Sequence, residues 1–294
     1  MVAIHPVDHL VLPTVNIGLA RERLGKLGFT VAPDARHPFG TENACVFFAD
    51  GTYLEPLAVA SREECETAAH EGNVFTARDQ AFRFRVGEDG FSAVVFATND
   101  AKADDARFRQ KAISAGRMLQ FARPVRMPDG SESSAGFSLA FAADLRAPDF
   151  FAFCCERTNP LPADRGALER HANGVVGIAE VVLSTSRPSA YRSFLELAAG
   201  GADIVDFSFG VNVKTPNVRI GVINSRGMQA FFDLDVSGDD AGLHGKAIVF
   251  KTNDLSVTTS HLTANGVTYT RKSNRILVKA APGQGALFAF EEIS

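Results

Sequence analysis

Apolar positions along this chain fall into one order that is written four times. At Val7 to Thr14 (VDHLVLPT) they alternate, with His9, Val11 and Pro13 on one side and Asp8, Leu10 and Leu12 on the other, the two-residue period of a strand. The spacing then widens, so that Ile17, Ala20, Leu24 and Leu27 share a helical face that ends near Gly28. Two further strands, ACVFFAD and TYLEPLAV, are joined by the tight Asp50-Gly51 turn. The second copy reads FSAVVFATND, the helix AKADDARFRQKAISAG stopped by Gly116, MLQFARPVRM, an Asp129-Gly130 turn, AGFSLAFAAD and DFFAFCCE. A third runs from GIAEVVLST through the helix SAYRSFLELAAGG to the strands VRIGVIN and MQAFFDLDV. The fourth is KAIVFKTND, the helix LSVTTSHLTANG, RILVKAA and ALFAFEE.

Two of these openings, SAVVFATND at Ser92 and KAIVFKTND at Lys246, are nearly the same stretch about half a chain apart. Segments two and four are therefore counterparts, as are one and three, and His9, Ala93, Glu180 and Ala247 hold equivalent places. The expected fold is α+β: four βαβββ modules paired into two domains. The Pro-, Gly- and charge-rich stretch RTNPLPADRGALERHANG marks the join. The division expected is 1–157, a connector at 158–174, and 175–294.

Composition narrows the partners. The net charge of −4 comes without a basic run, which argues against a nucleic-acid surface or an anionic membrane. No stretch approaches the roughly 18 uncharged apolar residues of a membrane span. Asp8 and His9 interrupt the apolar core that a signal peptide would need. Cys45, Cys65, Cys154 and Cys155 contain no C-x-x-C, and read as buried free thiols in a reducing cytoplasm. Of Cys154 and Cys155, one is expected to face the core and the other the cup or solvent. With 24 Phe and no Trp, the core is phenylalanine-rich, and any Phe lining a site favours an aromatic or aliphatic ligand.

The module order, with DHLVL in the first strand, HPFGTEN at His37 to Asn43 and DGTYLEPL at Asp50 to Leu57, resembles the glyoxalase-like domains of the vicinal oxygen chelate superfamily, which includes glyoxalase I and the extradiol dioxygenases. RPVRMPDG extends the likeness into segment two; the second half shares only the module order. The resemblance implies that each pair of modules forms a cupped sheet, with metal ligands from first and last strands converging inside. It implies His9 and Glu55 as ligands of a divalent metal (Zn, Ni, Mn or Fe), with Glu55 doubling as the base that moves a proton beside a carbonyl. The sequence departs from the pattern at Ala93 and near Cys154, where neither a histidine nor a carboxylate stands. A third ligand is then sought from His37, from Glu156 or from a partner chain, which leaves a homodimer open.

Each candidate also has a plainer reading. His9 and Glu55 form either a metal site or a buried polar pair. HPFGTEN is either a turn in which Thr41 and Asn43 cap backbone groups or a substrate-binding loop that includes His37. Arg83 and Arg85, alternating with Phe82 and Phe84, are a solvated strand face or a carboxylate clamp over the cup. His171 sits in the connector, as a turn residue or reaching back to the first cup. In the second half, Glu180 stands where a histidine would, Ala247 is empty, and Asp233, Glu291 and His244 are out of register, so that half reads as structural. Two functions follow: a glyoxalase-like lyase or isomerase acting on a small molecule with vicinal oxygens, or a metal-free binding protein on the same fold. An extradiol dioxygenase is disfavoured because a second histidine is missing.

Overall fold

The computed structural model describes residues 4–126, 132–159 and 165–293; the Asp129-Gly130 turn lies outside them. The strands form two mixed sheets with the same layout. In the first, Val7–Pro13 lies antiparallel to Ala93–Ala97, and each is flanked by a parallel partner, Tyr53–Val59 on one side and Phe151–Asn159 on the other. Outward from these run Thr41–Asn43 and Ala35–Arg36 on the first side, and Glu132–Ala142 and Leu119–Arg126 on the second. In the second sheet, Val175–Ser184 and His244–Thr252 form the central pair, with Arg219–Ile223 and Leu287–Glu292 as their parallel partners. Two cupped-sheet domains of α+β modules result.

The repeated stretch has a structural cause. Asp100 and Asp254 each accept a hydrogen bond from the first turn of the following helix, from Ala103 N at 2.9 Å and Ser256 N at 2.7 Å. Thr98 and Thr252 brace the two turns by accepting from the Asp100 and Asp254 amides. Glu156 and Glu292 complete them by accepting from Ala101 N and Leu255 N. This is one capping device written twice, which satisfies amide groups that a helix start leaves free. It also removes Glu156 from the candidate ligands, because its carboxylate is committed to a helix end.

The backs of both sheets share one core. Phe29, from the loop after the first helix, meets Phe48 of its own half and Phe250, Phe288 and Phe290 of the other, with ring centroids 5.2 to 6.3 Å apart. Cys154 lies in this shared core and Cys155 in the first cup; all four cysteines are free and buried. His171 latches the join: its Nδ1 accepts from Thr30 N at 3.0 Å and its Nε2 meets Phe47 O at 2.9 Å. It serves the seam and does not enter the first cup.

Two segments differ from the alternation reading. MQAFFDLDV is helical over Ser225–Phe232, started by Asn224 accepting from Gly227 N and ended by Asp233 in the left-handed region (φ +49°). Met228 and Phe232, one turn apart, are buried while Phe231 is exposed, so the apolar run covers a helix face. AFRFRV likewise belongs to a helix, Val74–Arg85, whose start is capped by Asn73 accepting from Phe75 N and Thr76 N. With Arg62–His70 it makes a helical hairpin between the first two modules, which two-residue alternation conceals. The hairpin Asp203–Phe207 and Gly210–Lys214 completes the second sheet's edge and was not anticipated.

Candidate functional site

The first cup carries an unbroken chain of polar groups. A β-bulge begins it: Val7 pairs with Phe96 and His9 with Val95, so Asp8 is an extra residue in the first strand. Strict alternation would send Asp8 to the opposite face from His9. The bulge brings them to the same side, where Asp8 Oδ2 meets His9 Nδ1 at 2.7 Å. The other ring nitrogen, Nε2, lies 3.3 Å from Glu55 Oε2. Asp8 is gripped in turn by Arg157, with two contacts of 2.8 Å. The cup thus holds an alternating series, guanidinium, carboxylate, imidazole, carboxylate. Tyr53, beside Glu55 on the same strand, stacks on the His9 ring at 4.3 Å.

The HPFGTEN loop closes on the far side of Glu55. His37 Nε2 is 3.8 Å from Glu55 Oε1, and its Nδ1 is 2.8 Å from Thr41 Oγ1. Asn43 Nδ2 donates to Glu55 Oε1 at 2.5 Å and also approaches His37 Nε2. The histidine missing from the first strands therefore reaches the same carboxylate from a loop. His9, His37, Asn43 and Glu55 are between 3 and 6% exposed.

Burial alone would raise both carboxyls and lower the His9 imidazole. The contacts outweigh it. His9 and Arg157 hold Asp8 at about 2, and His9, His37 and Asn43 keep Glu55 below the usual carboxylate value. His9, between two carboxylates, is raised above an ordinary histidine. His37 goes the other way: burial pushes it down to about 4, with Arg123 and His9 adding to the effect against Glu55. At neutral pH His37 is uncharged.

His9, His37 and Glu55 are donor types that a divalent cation takes, but their ligand atoms do not all lie within 4.8 Å of one another. Each imidazole has its Nδ1 anchored, one by Asp8 and one by Thr41, which turns both Nε2 atoms toward one carboxylate. Among the described residues, the set of three such groups within 4.8 Å of one another is His5, Asp104 and Cys154, but Arg107 is already 2.7 Å from Asp104, and a second cation there meets a guanidinium.

Phenylalanine closes the cup. Phe39 stacks on His37 at 5.0 Å, Phe121 meets it edge-on at 5.6 Å, and Phe153 reaches His9 at 5.8 Å. Phe75 and Val74, from the helical hairpin, enter the same cluster and cover it. Arg83 and Arg85 are not over the cup. Arg83, buried in the helix, bonds Asp79, Glu88 and the carbonyls of Thr14 and Leu57. Arg85 bonds Asp149 and the Pro148 carbonyl. The strand reading fails because both arginines lie on the helix capped by Asn73, and from it their guanidiniums reach carboxylates and carbonyls away from the cup. A guanidinium does stand near His37 and Cys45: Arg123, whose buried Nε has no hydrogen-bond partner among the described residues and whose plane lies 5.9 Å over Phe137. Asp8, Tyr53, Arg123 and Arg157 are site residues that the sequence does not single out; the first three lie within DHLVL, DGTYLEPL and RPVRMPDG, while Arg157 carries no signal.

The second cup lacks the constellation. Glu180 is bound by Arg219 at 2.8 Å and Arg275 at 2.9 Å, and Arg275 also holds Glu291. Asp233 ends a helix and bonds Lys272, while His244 pairs with Asp240.

Comparison with known proteins places this geometry. The chain aligns, at 14% identity and a TM-score of 0.66, with a hypothetical protein from Staphylococcus aureus, over 98% of this chain and 99% of the other. A mutant 4-hydroxymandelate synthase from Streptomyces coelicolor aligns at 13% identity and 0.64, over 99% and 93%. The Mn(II)-bound glyoxalase from Novosphingobium aromaticivorans gives 8% identity and 0.52, over 99% and 83%. These likenesses show the shared fold. No curated protein matches the sequence. The Glyoxalase-like domain profile matches residues 7–198, and the chain belongs to that family of the vicinal oxygen chelate fold.

Proposed function

We propose that the chain is a glyoxalase-like enzyme whose site is the first cup, where Glu55 moves a proton on a small molecule with vicinal oxygens. The observation that carries this reading is the position of Glu55 between the Nε2 atoms of two histidines whose outer nitrogens are fixed by Asp8 and Thr41. Its neighbours keep this buried carboxylate ionised at neutral pH, so it is available to accept a proton, though as a weaker base than a free carboxylate. His9, His37 and Glu55 would hold a divalent cation, which supplies Lewis-acid polarisation of the substrate oxygens when bound. Asn43 orients Glu55, Thr41 sets the His37 ring, and Arg123 takes the carboxylate-orienting part once assigned to Arg83 and Arg85. Phe39, Phe75 and Phe121 exclude water, which strengthens charge interactions inside and favours a substrate with a flat or apolar body. The site belongs to the first half (1–157), with 158–174 as connector and 175–294 as a degenerate pair of modules. A cytoplasmic setting agrees with the four free thiols.

Two other readings have an observation behind them. Every polar member of the Glu55 cluster finds a partner within the chain, which supports a metal-free binding protein. The second imidazole at Glu55 gives an extradiol-type oxygenase the two-histidine, one-carboxylate set that such iron chemistry uses. Elemental analysis of protein purified without chelator or added metal, beside His9→Ala and His37→Ala, separates the readings. Near-stoichiometric metal in the native chain, lost in both variants, supports the enzyme, and α-oxoaldehyde thiol adducts and catechols then divide the two chemistries. No metal after incubation with each ion leaves the binding protein.

A further inference from the structure

Of the three arginines in the Val74–Arg85 helix, two are paired. Arg83 holds Asp79 and Glu88, and Arg85 holds Asp149. Arg78, earlier on the same helix, makes no hydrogen bond and no ion pair among the described residues; its guanidinium lies 5.9 Å over the Phe151 ring. Burial and the neighbouring Arg85 charge both depress its proton affinity. Arg78 is half-buried and keeps its guanidinium open to a counter-charge. Beside it opens a cavity of about 370 Å³, at the small end of the roughly 300–1,000 Å³ range of small-molecule sites. Its walls are mostly apolar, with Val74, Ala77, Ala81, Ala115, Leu145 and Pro148 around Arg78.

We infer that this cavity binds a small organic monocarboxylate with an apolar body, its carboxylate on Arg78. The guanidinium fork matches a carboxylate with two parallel hydrogen bonds, and the apolar wall accounts for the rest of the molecule. A single free cation sets the charge. Arg85 is spent on Asp149, and Asp144, on the cavity's rim, is held by Arg146 and adds negative potential that disfavours a multiply charged anion. The cavity shares Val74 with the cover of the first cup, but none of its lining residues is a polar member of the Glu55 cluster, and it does not depend on that cluster's chemistry.

The test titrates the full chain with benzoate, benzamide and sulfate, by calorimetry and by NMR of arginine side-chain groups. Benzoate is expected to bind at least about tenfold tighter than benzamide, the scale of a charge-assisted bidentate pair. Arg78→Gln is expected to erase that preference while folding normally, since it removes an unpaired charge. Leu145→Glu, on the cavity wall at a position 95% exposed, is expected to weaken benzoate more than benzamide. Equal binding of benzoate and benzamide would overturn the inference. So would a benzoate preference that survives in Arg78→Gln, or sulfate competing as well as benzoate.

Discussion

Glu180 occupies in the second sheet the register position that His9 holds in the first. His9 pairs with Tyr53 and Val95, Glu180 with Arg219 and Val249, and each follows a one-residue bulge, at Asp8 and at Ala179. By the same register, Val11 faces Glu55 and Val182 faces Gly221. A Cβ on Gly221 would come within 2.9 Å of Glu180 Oε1, so the second cup has exchanged a histidine and a carboxylate for one carboxylate and the space to hold it. Arg219 and Arg275 then satisfy Glu180.

Glu180→Ala is therefore expected to cost about 3 kcal/mol, the scale of leaving buried charges uncompensated, discounted because Arg219 is half exposed. Metal content and first-cup activity are expected to stay unchanged. Urea denaturation beside elemental analysis checks both; loss of metal would move the site to the second half.

The two cup histidines titrate in opposite senses. In chelator-treated protein, His9 is raised, so its contribution is full below pH 6.5 and lost as pH rises through its folded value. The stability gap between native chain and His9→Gln is expected to narrow above pH 6.5. His37 is lowered to about 4, so the unfolded chain takes up the proton first and the native chain loses stability as pH falls from 6.5 toward 4. His37→Asn should escape that loss, which is about 3 kcal/mol for a shift of this size. Denaturation curves at several pH values read the two slopes; parallel curves for native and variant would contradict the assignment.

Arg83 is expected to be structural. Arg83→Met leaves Asp79 buried without its cation and frees the Thr14 and Leu57 carbonyls, at about 3–5 kcal/mol. Arg123→Met is expected to raise the KM of an anionic substrate with little change in stability. The pair of variants, compared by thermal unfolding and steady-state kinetics, should separate the roles; a KM effect confined to Arg83→Met would reverse them.

His171→Ala removes hydrogen bonds to Thr30 and Phe47 from the seam between the halves, and is expected to cost about 2–3 kcal/mol. Kinetic constants should not move, because the ring does not reach the cup. Altered kinetics at full folding would place His171 in the site instead.

The sequence by itself determined the module order, the pairing of the halves and most strands and helices, because two-residue and 3.6-residue periods report directly which face is buried. It also supplied His9 and Glu55, through a resemblance carried by local motifs. Tertiary structure decided the rest. A bulge, an event between two strands, turned Asp8 from the back of the sheet to the side of His9. His37 is 18 residues before Glu55 in the chain, and only the folding of its loop against the Tyr53–Val59 strand brings them to 3.8 Å. The helix at Arg83 and Arg85 carries phenylalanines at alternate positions, and one of them, Phe84, is exposed, so the pattern read as a strand. Periodicity encodes burial within one element; the chemistry of this cup depends on contacts between elements, and those no period records.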